Sequence, residues 1–240
     1  MLITSKDNEK LKYYKKLKLK KHRDYYKKFI VEGNHLVLEA YKAGVIEELI
    51  LEKDDILSLP IETIYLEPQL LKSISNLDTP SNQMALCKMK TNDFIGNKVI
   101  LIDGIQDPGN LGTIIRSAVA FNIDTIILGD NTVDIYNPKV IRASQGMIFN
   151  INIINRNLLE IIPELQNKGH IIYGTKVTHG KELKSIEKTE KFAVALGNEG
   201  LGLSEEVEEL CDIFLHIKMN ETCQSLNVSI AASIVLYELS

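Results

Sequence analysis

Tryptophan is absent from this sequence, and cysteine is scarce: Cys87, Cys211 and Cys223 are its only three. An odd, widely spaced set without a CxxC pair argues against a disulfide scaffold and for small buried apolar residues in a reducing compartment. The five histidines, His22, His35, His170, His179 and His216, are equally scattered. They lack the spacing of metal ligands, so no metal site is expected. No apolar run approaches the roughly 18–20 residues of a membrane span. The N-terminus is basic, yet no apolar segment follows it, which argues against a secretory signal and for a cytoplasmic protein.

What is present is a 240-residue chain, 45% apolar, with room for one large domain or two small ones. Its net charge of −4 hides an asymmetry. Residues 1–30 hold eleven Lys or Arg against Asp7, Glu9 and Asp24, a surplus of eight, so the other 210 residues carry a deficit of twelve. A basic segment on an acidic body is the electrostatic footprint of a phosphate-backbone binder, although a solvated basic helix would read the same way. Lys16, Lys20, Lys21, Arg23 and Lys27 are the candidate RNA contacts. Tyr13, Tyr14, Tyr25 and Tyr26 lie among the lysines and offer aromatic faces on which bases could stack.

Beyond the basic segment, "FIVEG" predicts a strand and "NHLVLEAYKAG" a helix with Asn34 as N-cap and Gly44 just past its end. "IEELILE" and "IETIYLE" are strand-like, "PQLLKSISN" starts a helix with proline, and "NQMALCKM" is a further strand. The expected division is a small α/β domain over 1–90, a polar linker over 91–97 and a second domain over 98–240. In that second domain, strands such as "KVILID", "IDTIILG", "HIIYGT" and "FAVALG" alternate with helices, among them "NPKVIRASQGM" and "SLNVSIAASIVLYEL". Short apolar strands alternating with helices predict a parallel sheet covered on both faces.

In such a sheet, ligands bind beyond the carboxyl ends of the strands. Three loops rich in Gly and Asn fall there: "DGIQDPGNLGTIIR", "LGNEGLGLSEEV" and "IKMNETCQSLNVS". Any one of them could be ordinary turn chemistry. Neither GxGxxG after the first strand nor GxxxxGK[ST] is present, so a nicotinamide or P-loop site is disfavoured. Residues alone leave an α/β protein that binds a small ligand and a nucleic acid.

"PGNLGTIIRSA", "LGNEGLGLSEEV" and "SLNVSIAASIVLYE" resemble, in order and spacing, the three motifs of the SpoU (TrmH-type) family of SPOUT RNA ribose 2′-O-methyltransferases. "FIVEGNHLVLEA" resembles the ribosomal-protein-like substrate-binding domain that many members carry. The resemblance implies an α/β fold in which a parallel-sheet domain ends in a C-terminal trefoil knot and a small α/β RNA-binding domain precedes it. It implies S-adenosylmethionine as cofactor, RNA (foremost ribosomal RNA) as substrate, and a homodimer. Asn110 and Arg116 match the first-motif pair, Glu199 the second-motif glutamate, and Ser225 with Asn227 the third-motif pair. By the same likeness Thr175, Leu196, Gly197, Ile217, Met219 and Leu226 line the cofactor. On this reading a Pro108–Gly112 turn aims the Asn110 amide into the site, and the following helix carries Arg116 toward the ribose and its phosphate. A guanidinium with a pKa above about 12 is a poor proton acceptor, so phosphate binding and charge stabilisation are its expected roles. The third motif departs from the family's usual Ile-Pro-Met-Gly course, with Lys218 and Glu221 in place of proline and glycine. Leu226, Ile230 and Ile234 form a stripe on the last helix that fits either a dimer face or the protomer's own core. A transfer-RNA methyltransferase and a catalytically silent RNA-binding relative are the alternatives.

Overall fold

The computed structural model describes residues 1–90, 93–178 and 180–240. Thr91 and Asn92, at the start of the expected linker, and His179 lie outside the described residues. The chain divides into two compact units. One contains Met1–Thr91 and Tyr136–Phe149, the other Asn92–Ile135 and Asn150–Ser240.

The first unit runs β1 (Leu2–Ile3), α1 (Glu9–Lys16), α2 (Lys20–Tyr26), β2 (Lys28–Glu32), α3 (Asn34–Lys42), β3 (Ile46–Glu52), β4 (Thr63–Leu66), α4 (Pro68–Ile74) and β5 (Gln83–Lys88). Its sheet has the order β1-β4-β3-β5-β2. β4 is parallel to β1 and β3, while β5 is antiparallel to β3 and β2. Leu11 and Tyr14 of α1 pack with Ile50, Ile64, Leu71 and Met84 in one core cluster. The basic segment is thus two helices, and only part of it faces water.

Arg23 is the clearest case, and it corrects its assignment as an RNA contact. Its side chain is buried, and Nη1 donates to the carbonyls of Leu17 (3.0 Å) and Lys18 (2.8 Å). The end of a helix leaves carbonyls without intrahelical partners, and the guanidinium fork is occupied by carbonyls just beyond α1. Lys16, Lys20, Lys21 and Lys27 are exposed, with Lys20 paired to Asp24 at 2.9 Å. Asn34 is not an N-cap either. Gly33 holds that position at φ 106°, a conformation open to glycine, and the Asn34 amide donates instead to Gln83 Oε1 at 2.6 Å.

The second unit begins with β6 (Lys98–Asp103), α5 (Pro108–Ala120) and β7 (Thr125–Leu128). The chain then contributes Tyr136–Phe149, with α6 (Pro138–Ala143), to the first unit. There the Tyr136 and Phe149 rings lie 4.6 and 6.3 Å from that of Phe29, and Lys90 Nζ donates to the Phe149 carbonyl at 2.7 Å. α6 is shorter than the expected "NPKVIRASQGM" because Gln145 (φ 51°) and Gly146 (φ 79°) leave the helical region. The second unit resumes with β8 (Asn152–Asn155), α7 (Leu158–Asn167), β9 (Ile171–Thr175), β10 (Lys181–Glu182), β11 (Phe192–Gly197), α8 (Glu205–Glu209), β12 (Ile213–His216) and α9 (Val228–Leu239).

These strands form a parallel sheet in the order β10-β12-β9-β11-β6-β7-β8. Burial on both faces explains why its central strands read as unbroken apolar runs. Register matters more than order. Gly197 pairs with Asp103, and Thr175 with Leu215, so the last residues of β6, β11, β9 and β12 finish together at one end of the sheet.

Replacing Arg23 with Met should keep much of the side-chain volume but leave two carbonyls without their charged donor, lowering stability by about 2 kcal/mol. Urea unfolding of the full chain reads this, and an unchanged midpoint would return Arg23 to the surface cations.

Candidate active site

Sequence dictates the start of α5. Asp107 is its N-cap, with Oδ1 accepting the Asn110 N–H at 2.8 Å, and Pro108 occupies the first helical position, where a missing N–H costs nothing. The expected Pro108–Gly112 turn is therefore the first turn of the helix itself. Capping places Asn110 in that turn, at the end of the sheet where β6 and β11 finish.

Glu199, two residues beyond β11, fastens this helix start to the neighbouring loop. Its Oε1 accepts from Asn110 Nδ2 (3.0 Å) and the Asp107 N–H (3.1 Å), and Oε2 accepts from the Gln106 N–H (3.3 Å). On the far side, Asn227 Nδ2 donates to Asn110 Oδ1 at 2.9 Å. Asn227 is itself the N-cap of α9, with Oδ1 accepting from the Ser229 N–H at 2.9 Å. A single chain of hydrogen bonds thus links all three motif loops and fixes which way each amide faces.

Partial burial pushes the Glu199 carboxyl up, but hydrogen bonds from Asn110 and from the backbone N–H groups of Glu199, Asp107 and Gln106 outweigh it and hold the pKa below the usual carboxylate value. At neutral pH this group is an ionised acceptor lying at a helix N-terminus, where negative charge is favoured. It is poorly suited to act as a general base.

The loop from Gly197 to Gly202 is as tightly determined. Asn198 Oδ1 accepts from the Gly200 and Leu201 N–H groups at 2.9 and 3.1 Å, while its Nδ2 reaches the Gly104 carbonyl at 2.9 Å. A Cβ on Gly197 would lie 2.1 Å from the Gly202 carbonyl carbon, so no larger residue lets the loop fold back this far.

Beside the hydrogen-bonded chain is a cavity of about 550 Å³. Of the six expected cofactor residues, Thr175, Gly197, Ile217, Met219 and Leu226 line it. Leu196 is not among its lining residues; its side chain is buried in β11. Glu199, Ser225 and Asn227 line it as well. Sequence reasoning missed Lys176 and Val177, just past the end of β9, and Val228, Ala231 and Val235 on α9. The spacing of the last three, three and four residues apart, is the helical signal that one face of α9 forms a wall. Apolar walls and backbone polar groups of the Gly-rich loop suit a group that is part flat ring and part charged chain, which is the character of S-adenosylmethionine.

Arg116 stands apart. It is exposed on α5 six residues after Asn110, about 9 Å along the axis and on another face. No ion pair or hydrogen bond to it occurs among the described residues, so an internal structural pair does not account for it. Its helix packs along α9, where Ser117 Oγ meets Ser233 Oγ at 2.7 Å and the Phe121 and Tyr237 rings contact edge-on at 5.8 Å. On α9, Ala232, Val235, Leu236 and Leu239 face the core, while Ile230, Ile234 and Tyr237 are 52%, 38% and 68% exposed. Packing within the protomer therefore does not explain the Ile230–Ile234 part of the stripe. Among the described residues, no group of three or more metal-ligating side chains converges, and no helix is long and apolar enough to cross a membrane.

With this geometry in view, comparison with known proteins is specific. The SpoU rRNA Methylase family matches residues 97–237, and the MRM3-like substrate binding domain matches residues 8–85. A Bacillus subtilis protein described as 23S rRNA (guanosine(2553)-2′-O)-methyltransferase RlmP is 37% identical, the match covering 99% of this chain and 98% of that protein. Among solved structures, the AdoMet-bound rRNA methyltransferase from Sinorhizobium meliloti aligns with a TM-score of 0.87 at 26% identity, covering 100% of this chain and 97% of the other. The SpoU methyltransferase AviRb from Streptomyces viridochromogenes, in complex with AdoMet, aligns at 0.86 and 26% identity over 97% of each.

The lowered Glu199 pKa has a definite sign. A depressed carboxylate contributes stability that is full above the unfolded value, near 4.5, and is lost as pH falls through the folded one. The stability difference between the native chain and Glu199→Gln should therefore be constant from neutral pH down to that value and shrink below it. Paired urea titrations across this range measure it, and a difference independent of pH would show that the charge on Glu199 contributes nothing.

Proposed function

Because the chain belongs to the SpoU rRNA Methylase family, we propose that it transfers a methyl group from S-adenosylmethionine to a ribose 2′-hydroxyl of ribosomal RNA. The observation that carries this reading is the Asn227–Asn110–Glu199 hydrogen-bond chain bordering the 550 Å³ cavity. Bound S-adenosylmethionine supplies a methyl group on positively charged sulfur, which departs as a neutral thioether when the ribose oxygen takes the methyl. Ile217, Leu226 and Val235 form apolar walls for the adenine, and the Gly197–Gly202 backbone supplies polar groups to the rest.

The remaining task is to hold a neutral hydroxyl in line. Positioning of this kind supplies on the order of 7–11 kcal/mol in ideal intramolecular cases. The Asn110 amide is suited to it because both of its ends are already committed to fixed partners, Glu199 and Asn227. The electrophile is cationic, so the oxygen need not be fully deprotonated before it attacks. Glu199 is held too acidic to accept the proton, and a guanidinium is too basic to give one up first, so the proton leaves to solvent. Arg116, exposed and without a partner among the described residues, binds the RNA phosphate beside the target ribose and offsets developing charge.

The ribosomal target follows from the likeness to RlmP over nearly the whole of both chains and from the match of the N-terminal segment to a substrate-binding domain. A cytoplasmic site of action fits that substrate. The same reading includes the trefoil knot at the C-terminus and a homodimer that covers Ile230, Ile234 and Tyr237. Sedimentation should give twice the chain mass for the native protein and a monomer for Ile234→Glu.

Arg116→Ala should reduce single-turnover methylation at least 100-fold while leaving cofactor affinity within about twofold. Arg116→Lys keeps the charge but loses the planar fork and should recover only a small part of the rate. Calorimetric titration with S-adenosylmethionine, a thermal melt and mapping of ribose methylation on ribosomal RNA from cells with and without the gene complete the test. Full activity in Arg116→Ala removes that residue from the mechanism, and an unchanged ribosomal methylation map removes the target.

A further inference from the structure

The acidic neighbours of the N-terminal lysines divide them into two groups. Lys10 pairs with Glu48 (2.5 Å), Lys12 with Glu9 (2.8 Å), Lys20 with Asp24 (2.9 Å) and Lys28 with Glu47 (2.5 Å). Lys21 and Lys27 are exposed and have no ion pair among the described residues. These two flank one aromatic residue. Lys21 lies one helical turn before Tyr25 on α2, and Lys27 lies two residues after it, at the left-handed end of the helix (φ 54°).

The four tyrosines of this segment are not equivalent. Tyr14 is fully buried and donates to Glu48 Oε2 at 2.5 Å, with burial and that hydrogen bond pushing its pKa far up. Tyr13 and Tyr26 are half-buried, their rings 4.9 Å apart at 88°. Tyr25 is 79% exposed, and its ring meets that of Tyr26 edge-on, also at 4.9 Å and 88°. Tyr26 is braced further by the His22 ring at 6.3 Å. Tyr25 is thus a large ring left in water yet held in place by a cluster behind it.

We propose that Tyr25 is a stacking platform for one unpaired base of the RNA, with Lys21 and Lys27 taking the flanking phosphates. The first unit on this view recognises a single-stranded segment. A base inside a duplex has both faces covered, so only an unpaired one can lie on a tyrosine ring. Lysine ammonium groups are compact point charges that meet phosphates without fixed geometry, which suits a flexible strand. Two uncompensated cations beside the ring favour a polyanion over an apolar protein surface. This inference rests on the RNA substrate proposed above and specifies which part of it the first unit binds.

The test uses the full chain and fluorescence anisotropy with two probes: a short adenosine-rich RNA strand, and the same strand annealed to its complement. Tyr25→Ala should weaken single-strand binding roughly 5- to 150-fold, as loss of one base stack does, while duplex binding stays within twofold. Tyr25→Phe, which keeps the ring, should bind as the native chain does. The salt dependence should be unchanged in Tyr25→Ala and shallower by about 0.7 in log–log slope in Lys21→Ala. Cofactor titration on the same samples checks that each variant is folded. Equal losses on strand and duplex, or none on either, would overturn the platform. Failure of the native chain to bind either probe would instead overturn the RNA reading on which it rests.

Discussion

The Glu199 carboxylate is the point on which the site depends. Its oxygens accept from the Asn110 amide and the backbone of Gln106 and Asp107, so one side chain joins the loop after β11 to the start of α5. The two loops become a single surface, and the amide of Asn110 is held at both ends. Asn227 completes the arrangement from the third loop by using both ends of its own amide, one to cap α9 and one to hold Asn110. None of this would be within reach had the sheet register been different. The pairing of Gly197 with Asp103 brings the two loops to the same height.

Much of this was legible in the sequence because strands of a parallel sheet buried on both faces must be continuous apolar runs, and these are. The three polar loops stood out for a similar reason: an Asn- and Gly-rich stretch directly after such a run has to turn sharply and stay polar at the end of the sheet. Asp107 and Pro108 carried more information than a turn reading extracted from them, since together they are the start signal of a helix. Of the five expected cofactor residues found on the cavity wall, Thr175 and Gly197 are the last residues of β9 and β11, and Ile217, Met219 and Leu226 lie beyond the end of β12; Leu196, one residue before the end of β11, packs inward.

What was not legible is long-range or inward-facing. Charge counting treats every arginine as a surface cation, and nothing local says that the Arg23 guanidinium turns toward the carbonyls of Leu17 and Lys18. Asn34 looks like a cap until the backbone at Gly33 is known, because φ 106° there makes glycine the boundary residue. The helix after Asn137 reads as three turns, yet Gln145 and Gly146 adopt positive φ and stop it early. The tyrosines of the basic segment read as four equal aromatic faces, whereas packing against Glu48 and the core removes Tyr14 from the surface and leaves Tyr25 the most open.

The passage of Tyr136–Phe149 into the first unit bears on how the protein is made. The Phe29 ring, near the start of the chain, is covered by Tyr136 and Phe149, which are more than a hundred residues away. A ribosome moving at about 5–20 residues per second needs roughly 3–12 s to travel from residue 91 to residue 149. Throughout that interval the N-terminal stretch of the first unit has been made, but the unit still lacks part of its own interior. The first unit can therefore be completed only after β6 and β7 of the second unit's sheet have been synthesised.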